Sequence, residues 1–275
     1  MKPVVLATDL DGTLIPLQDN PGNATDLHVL CKALDAAGLQ LIFVTGRHLA
    51  SVAEVMCSDN LPIPDWIIAD VGTSIYQRTS FDDVTSPTQL SRAFVLTEAY
   101  AAELGGLVGN FSVQRVAELL APIAALRMQE SEKQSRFKLS YYVDHRLLEQ
   151  VRVQIAERIE TARAPYSIVA SIDPFTQDGL IDLLPRQVTK AYGIEWWARF
   201  QKIERDEILY AGDSGNDSAV FAAGFRSIVV GNAQRAVLEA AEQAHRAAGW
   251  ENRLYAAEQS ATSGVLAGLQ HFLLL

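Results

Sequence analysis

The sequence predicts an α/β protein in which a parallel β-sheet core, flanked by helices, is interrupted by a separate α+β module. Three observations carry this. Short runs rich in Val, Ile and Leu recur with helix-like segments between them, the pattern of βα units feeding a parallel sheet. Acidic and glycine-bearing motifs fall just past the ends of those runs, where an open α/β sheet presents its functional groups. The middle of the chain changes character, with helical stretches preceding an alternating segment.

The core strands are read at Val4–Thr8, Leu39–Thr45, Trp66–Asp70, Ile208–Gly212 and Ser227–Val230. All are continuous apolar runs, as expected of strands buried on both faces. Between the first two, Leu27, Leu30 and Leu34 repeat at helical spacing after Thr25, a plausible N-cap, and Gly38 follows as a stop. In the middle, helices are expected over Gln89–Leu104, Val113–Leu126 and Leu147–Arg163, with strands at Arg136–Val143 and Tyr166–Ile172. Phe137, Leu139, Tyr141 and Val143 share one face of the alternating segment, and Lys138, Ser140 and Tyr142 the other. Further helices are expected over Ala191–Phe200, where Trp196 and Trp197 read as core packing, and from about Asn216. The domains are therefore placed at 1–83 with 181–275 for a discontinuous core and at 84–180 for the insertion. No internal repeat or low-complexity stretch is present.

Composition narrows the function classes. The 275 residues carry 23 Lys plus Arg against 33 Asp plus Glu, a formal charge of −10, which argues against a nucleic-acid surface. With 49% apolar residues the chain can build a sizeable core, so disorder and disulfide scaffolds are excluded. Cys31 and Cys57 lie in no metal-binding pattern and read as reduced thiols. Asp9 and Asp11 interrupt the N-terminal apolar run too early for a signal peptide, and no run is long enough for a membrane span. A cytoplasmic protein with no membrane partner is expected. The five histidines form no ligand spacing; His48, directly after Arg47, is the one to watch.

Four segments carry chemistry. Asp9-Leu10-Asp11-Gly12-Thr13 sets two carboxylates at i and i+2 where an apolar strand runs into a glycine turn. Thr45-Gly46-Arg47 offers a hydroxyl and an unobstructed N–H to an anion. Lys190 opens a helix and supplies a cation, and Gly212-Asp213-Ser214-Gly215-Asn216-Asp217 adds two more carboxylates and an amide. Taken singly each has an ordinary structural reading: a turn cap, a solvated arginine, a solvated lysine, an acidic N-cap loop. Clustered acids raise one another's pKa unless a cation neutralises them. Mg²⁺ suits an all-oxygen set and leaves positions for a substrate phosphate, whereas zinc is disfavoured without nearby His or Cys.

In this order the four segments resemble the motifs of the haloacid dehalogenase (HAD) superfamily of phosphotransferases. The resemblance implies a Rossmann-like core with Asp9 as nucleophile, forming an aspartyl-phosphate, and Asp11 as general acid and base. It further implies Mg²⁺ held by Asp9, the Asp11 backbone carbonyl and Asp213, with Asp217 completing the acidic site, and phosphate held by Thr45, Gly46, Lys190 and Asn216. The long insertion between Arg47 and Lys190 is similar to the C2 cap of the type IIB subclass, whose members act largely on phosphorylated sugars.

Arg136–Tyr142, Asp178–Pro185 and Ala261–Phe272 are similar to the sucrose-phosphate phosphatases of cyanobacterial type. The chain departs from that family at Gly12, where members show Asn, and at Gln177-Asp178-Gly179, where they tend to show a Gly-Lys-Asp run. The resemblance implies a small-molecule sugar phosphate as substrate, sucrose 6-phosphate first; phosphorylated relatives such as mannosylfructose phosphate or mannosyl-3-phosphoglycerate, and a sugar phosphomutase, are the alternatives. A monomer is expected, with a sugar-phosphate synthase as the protein it would associate with. A disaccharide is recognised by bidentate acceptors, amides and a flat ring, for which Arg47, Lys138, Ser140, Tyr142, Gln177 and Asp178 are the candidates.

Overall fold

The computed structural model describes residues 2–80, 86–172 and 176–274. Its contacts divide the chain into two compact units, Met1–Thr97 with Thr189–Leu275, and Glu98–Val188. The first opens with β1 (Val5–Thr8), α1 (Pro21–Ala37), β2 (Gln40–Val44), α2 (Leu49–Ser58), β3 (Trp66–Ala69), β4 (Ser74–Arg78), α3 (Pro87–Arg92) and β5 (Phe94–Leu96). The second holds α4 (Glu98–Val108), α5 (Val113–Leu120), β6 (Arg127–Met128), β7 (Leu139–Asp144), α6 (Leu148–Ala162), β8 (Tyr166–Ile172) and β9 (Asp178–Pro185). The first unit resumes with α7 (Lys190–Gln201), β10 (Ile208–Gly212), α8 (Ser218–Phe221), β11 (Arg226–Val229), α9 (Arg235–Ala248), β12 (Leu254–Ala256) and α10 (Ala261–Leu274).

Among the described residues the first unit has an eight-stranded sheet in the order β12-β11-β10-β1-β2-β3-β4-β5. Strands β12 to β3 are parallel, and β4 and β5 extend the edge antiparallel. The register aligns Thr8 of β1 with Phe43 of β2 and with Ala211 of β10, so three adjacent strands end at the same level. The chain leaves β1 for β2 on one side and later returns to β10 on the other, which places the strand-order reversal where α/β sheets bind ligands. Leu27, Leu30 and Leu34 of α1 are buried in the apolar core with Leu6, Phe43, Ile67 and Leu209.

Local chemistry explains where expectation and structure part. Helix α1 begins at Pro21, a turn before Thr25, because the Asn20 side chain accepts from the Gly22 N–H and Pro21 suits the first helical position. The helix expected over Gln89–Leu104 is two helices with β5 between them; Phe94–Leu96 pairs with β4, Tyr76 facing Leu96. Helix α5 stops at Leu120, ahead of Pro122. Residues 136–138 precede β7 rather than opening it.

In the second unit β6-β7-β9-β8 form an antiparallel sheet. Leu139 and Tyr141 lie opposite Leu183 and Ile181, and all four are buried, as are Val151, Ile155 and Ile159 of α6. The boundary expected between 180 and 181 falls inside β9, which pairs along its length with β7 and β8 and so keeps 181–185 in this unit. The boundary expected between 83 and 84 lies outside the described residues, and residues 86–97 belong to the first unit. Cys31 and Cys57 are free thiols. Among the described residues no helix is long and apolar enough to cross a membrane.

Candidate active site

The end of β1 brings the first carboxylates forward. After Thr8 the chain enters a tight turn over Leu10–Leu14, closed by the Ile15 N–H donating to the Leu10 carbonyl. Asp9 is 5% exposed and accepts from the Leu10 N–H at 2.8 Å. Gly12 takes φ +72°, a left-handed conformation open to Gly and to Asn. Glycine also leaves Asp213 its place: a Cβ there would lie 2.6 Å from Asp213 Oδ2, so that side chain would have to shift. The turn thus brings its backbone against the loop after β10, and Thr13 Oγ1 donates to Asp213 Oδ1 at 2.9 Å.

Lys190, 1% exposed, joins the two motifs. Its Nζ stands 2.8 Å from Asp9 Oδ2 and 2.7 Å from Asp217 Oδ1. A buried ammonium is tolerated only with such partners; burial alone would lower its pKa, but the flanking carboxylates raise it and keep it charged. Its backbone is set by the opposite wall, where Gly72, at φ +97°, leaves room for the Thr189 carbonyl that a Cβ would meet at 2.3 Å.

The two carboxylates beside Lys190 differ. Asp217 is fully buried. Its Oδ1 accepts from Lys190 and from the Tyr210 hydroxyl, and its Oδ2 from the N–H groups of Asp213 and Ser214 and from Ser214 Oγ. Burial would raise this carboxyl, but Lys190 and the donors hold it below the usual range. For Asp9 burial prevails over the attraction of Lys190, and the nearby Asp217 adds to it, so its carboxyl is raised. Asp213 is raised too, first by burial.

Asp9, Asp213 and Asp217 each offer an oxygen within 4.8 Å of the others. The donor set is all oxygen, and crowded carboxylates with raised pKa are what a hard divalent cation would relieve. Five protein donors already occupy the Asp217 carboxylate, so Asp9 and Asp213 are the better fitted to hold one.

Asp11 is not part of that group. Its carboxylate is 57% exposed and bound in a fork by Arg47, Nη2 to Oδ1 at 2.7 Å and Nε to Oδ2 at 2.8 Å. Arg47 also donates from Nη1 to Ser51 Oγ. Arg47 therefore meets a carboxylate where a sugar contact was expected. Thr45 is buried, and its Oγ1 accepts from the Arg47 N–H. A Cβ on Gly46 would only touch Val71 at 3.8 Å, so packing does not demand glycine there and the backbone stays open. Asn216 is exposed on the turn before α8. His48 caps α2, accepting from the Ser51 N–H.

In the second unit the expected sugar-contacting residues separate into two groups. Tyr142, Gln177 and Asp178 line a cavity of 520 Å³ with Arg127, Asp144 and Arg146. Lys138 and Ser140 are instead buried around Asp182, Ser140 Oγ donating to its Oδ1 and Lys138 Nζ standing 4.0 Å away. The Tyr142 ring is not a bare platform: Arg127 and Lys133 lie 5.0 and 5.1 Å from its centroid, and its hydroxyl accepts from Lys133 and donates to Glu130. Arg127, Lys133, Asp182 and Tyr210, which contact the candidate residues, were not singled out in the sequence. For Tyr210 a signal existed, the lone hydroxyl in the run Ile208–Gly212.

The model of the family described as sucrose-6F-phosphate phosphohydrolase matches residues 2–273. A HAD-like hydrolase of Nitrosococcus oceani is 34% identical over 282 residues, covering 98% of this chain and 71% of that protein. Mannosylfructose-phosphate phosphatase of Agrobacterium fabrum is 29% identical over 275 residues, 99% of this chain and 98% of the relative. The sucrose-phosphatase of Synechocystis, solved in complex with sucrose and phosphate, has a TM-score of 0.72 at 23% identity over 99% of this chain and 98% of its own, which shows the fold. With the strand-end carboxylates, the buried lysine and a match along almost its whole length, this chain belongs to the sucrose-6F-phosphate phosphohydrolase family, phosphoric monoester hydrolases of the HAD fold.

Proposed function

We propose that the protein hydrolyses the phosphate ester of a phosphorylated disaccharide, sucrose 6-phosphate first, with Mg²⁺ as cofactor and Asp9 as nucleophile. The observation that carries this is the division of labour between two carboxylates of one turn. Asp9 is buried against the Lys190 ammonium, while Asp11 faces solvent in the grip of Arg47.

An Asp9 oxygen attacks phosphorus, forming the acyl-phosphate bond as the bond from phosphorus to the sugar oxygen breaks. Asp11 delivers the proton that the leaving alkoxide needs. It then takes a proton from water, which attacks the acyl-phosphate and releases inorganic phosphate with the Asp9 carboxylate restored. Two steps of this kind replace one harder displacement. Lys190 has three donors; among the described residues two face Asp9 and Asp217, and the third is available to a phosphoryl oxygen, as are Thr45 and the Gly46 N–H. Asp9 and Asp213 would hold Mg²⁺, with the Asp11 carbonyl, and Asp217 would stand behind them; bound there, the ion would supply positive charge to balance the carboxylates and the phosphoryl group.

Family membership supports a sugar phosphate, and the Agrobacterium relative favours mannosylfructose phosphate as the second reading. In the second unit Tyr142, Gln177 and Asp178 around their cavity supply the mixed donors and acceptors that sugar hydroxyls require. The test is phosphate release from sucrose 6-phosphate, mannosylfructose phosphate, mannosyl-3-phosphoglycerate and hexose monophosphates, with and without Mg²⁺. Preferred turnover of a disaccharide phosphate that needs Mg²⁺ and is lost in Asp9→Asn is the expected result. Equal turnover of hexose phosphates overturns the substrate, and an active Asp9→Asn overturns the mechanism.

A further inference from the structure

We propose that Tyr210 is a positioning residue of the phosphoryl-transfer site, fixing the Asp217 carboxylate and, through it, the Lys190 ammonium. This rests on the reading that Asp9 and Lys190 handle the phosphoryl group.

Tyr210 is fully buried on β10, in register with Ala7 two residues before Asp9. Its hydroxyl donates to Asp217 Oδ1 at 2.5 Å, the oxygen that also receives Lys190 Nζ at 2.7 Å. From Lys190 the chain of contacts runs on to Asp9 Oδ2 at 2.8 Å.

The two oxygens of Asp217 thereby have separate duties. Oδ2 collects the N–H groups of the loop that carries Asp213, while Oδ1 meets the ammonium. Lys190 is shared between two carboxylates of the same sign, so its resting place depends on how strongly each attracts it. A second donor on Oδ1 disperses the charge there and fixes the carboxylate plane, which keeps the ammonium from withdrawing toward Asp217 and away from the reacting centre. Packing alone does not call for the hydroxyl. The ring lies edge-on to Phe221 at 5.9 Å, and phenylalanine would fill the same apolar space.

The experiment compares Tyr210→Phe with Phe221→Leu, a packing control against the same ring, by steady-state kinetics on a phosphate ester and by thermal melting. Tyr210→Phe is expected to lower kcat about tenfold, the usual scale for a group that orients a reacting one, with KM changed less than about twofold. Phe221→Leu is expected to lower the melting temperature while kcat stays within about twofold. In an Asp217→Asn background the hydroxyl has lost the carboxylate it serves, so adding Tyr210→Phe should cost less than about twofold more. Unchanged kcat in Tyr210→Phe, a loss matched by Phe221→Leu, or a full tenfold further loss in the Asp217→Asn background overturns the proposal. Lys190→Met separates the two levels: if it stays active, the reading of the site fails. If it is inactive while Tyr210→Phe matches wild type, only the role of Tyr210 fails.

Discussion

Arg47 holds both oxygens of Asp11, 36 residues away in sequence, through a two-pronged guanidinium contact of 2.7 and 2.8 Å. The pair is partly exposed, 33% for Arg47 and 57% for Asp11, and at that exposure an ion pair contributes at most about 1 kcal/mol to stability. Its value lies in aiming the carboxylate. Arg47→Lys, which keeps the charge and loses the fork, is expected to reduce kcat about tenfold with little change in melting temperature. A large drop in melting temperature with kcat intact would show a structural pair instead.

Asp9→Asn should keep the fold, since Lys190 retains Asp217 as partner, and should remove turnover by at least about a thousandfold because the amide cannot form the acyl-phosphate. Circular dichroism and phosphate release check the two halves separately.

Removal of divalent cations by chelation should abolish turnover, and added Mg²⁺ should restore it. The two acids after β10 should then differ. Asp213→Asn is expected to raise the Mg²⁺ concentration needed for half-maximal rate about tenfold or more. Asp217→Asn, whose carboxylate is occupied by protein donors, should lower kcat and melting temperature with a smaller effect on the Mg²⁺ requirement.

Gly12→Ala tests the close approach of the two loops. The substitution meets a left-handed φ, a cost of about 1–2 kcal/mol, and sets a Cβ against Asp213 Oδ2. Lower stability by that amount is expected, together with a higher Mg²⁺ requirement as Asp213 is displaced. A mutant with normal Mg²⁺ dependence would show that Asp213 can shift without consequence.

Much of the core was legible because parallel strands buried on both faces leave continuous apolar runs, as in Val5–Thr8 and Ile208–Gly212, and because the acids sit at their ends, while Lys190 opens a helix. The edge was not. β4 carries Gln77 and Arg78, and β5 is three residues inside a stretch whose Leu and Ala spacing imitates a helix; what makes them strands is pairing with a distant neighbour. β9 reads Asp178-Gly179-Leu180-Ile181-Asp182 before Leu183-Leu184, with no regular polar–apolar alternation to announce a strand. At the site, residue types identified the acids and the lysine, but not which acid would be paired away. Arg47 reaches Asp11 only because the adjacent strands β1 and β2 end level, and Tyr210 reaches Asp217 only because the loop after β10 folds back on its own strand; no residue pattern announces either.

The support of the nucleophile turn bears on how the enzyme is made. Gly12 accepts from Asn232 Nδ2, Leu14 accepts from Thr262 Oγ1, and Asn23 in α1 holds Ser260 and Ser263; Thr13 grips Asp213 across 200 residues. All of these partners emerge from the ribosome long after the turn they brace. A nascent chain that has just exposed Asp217 would therefore carry every reactive side chain while the scaffold around Asp9 is still unfinished, and competence would wait until α10 docks.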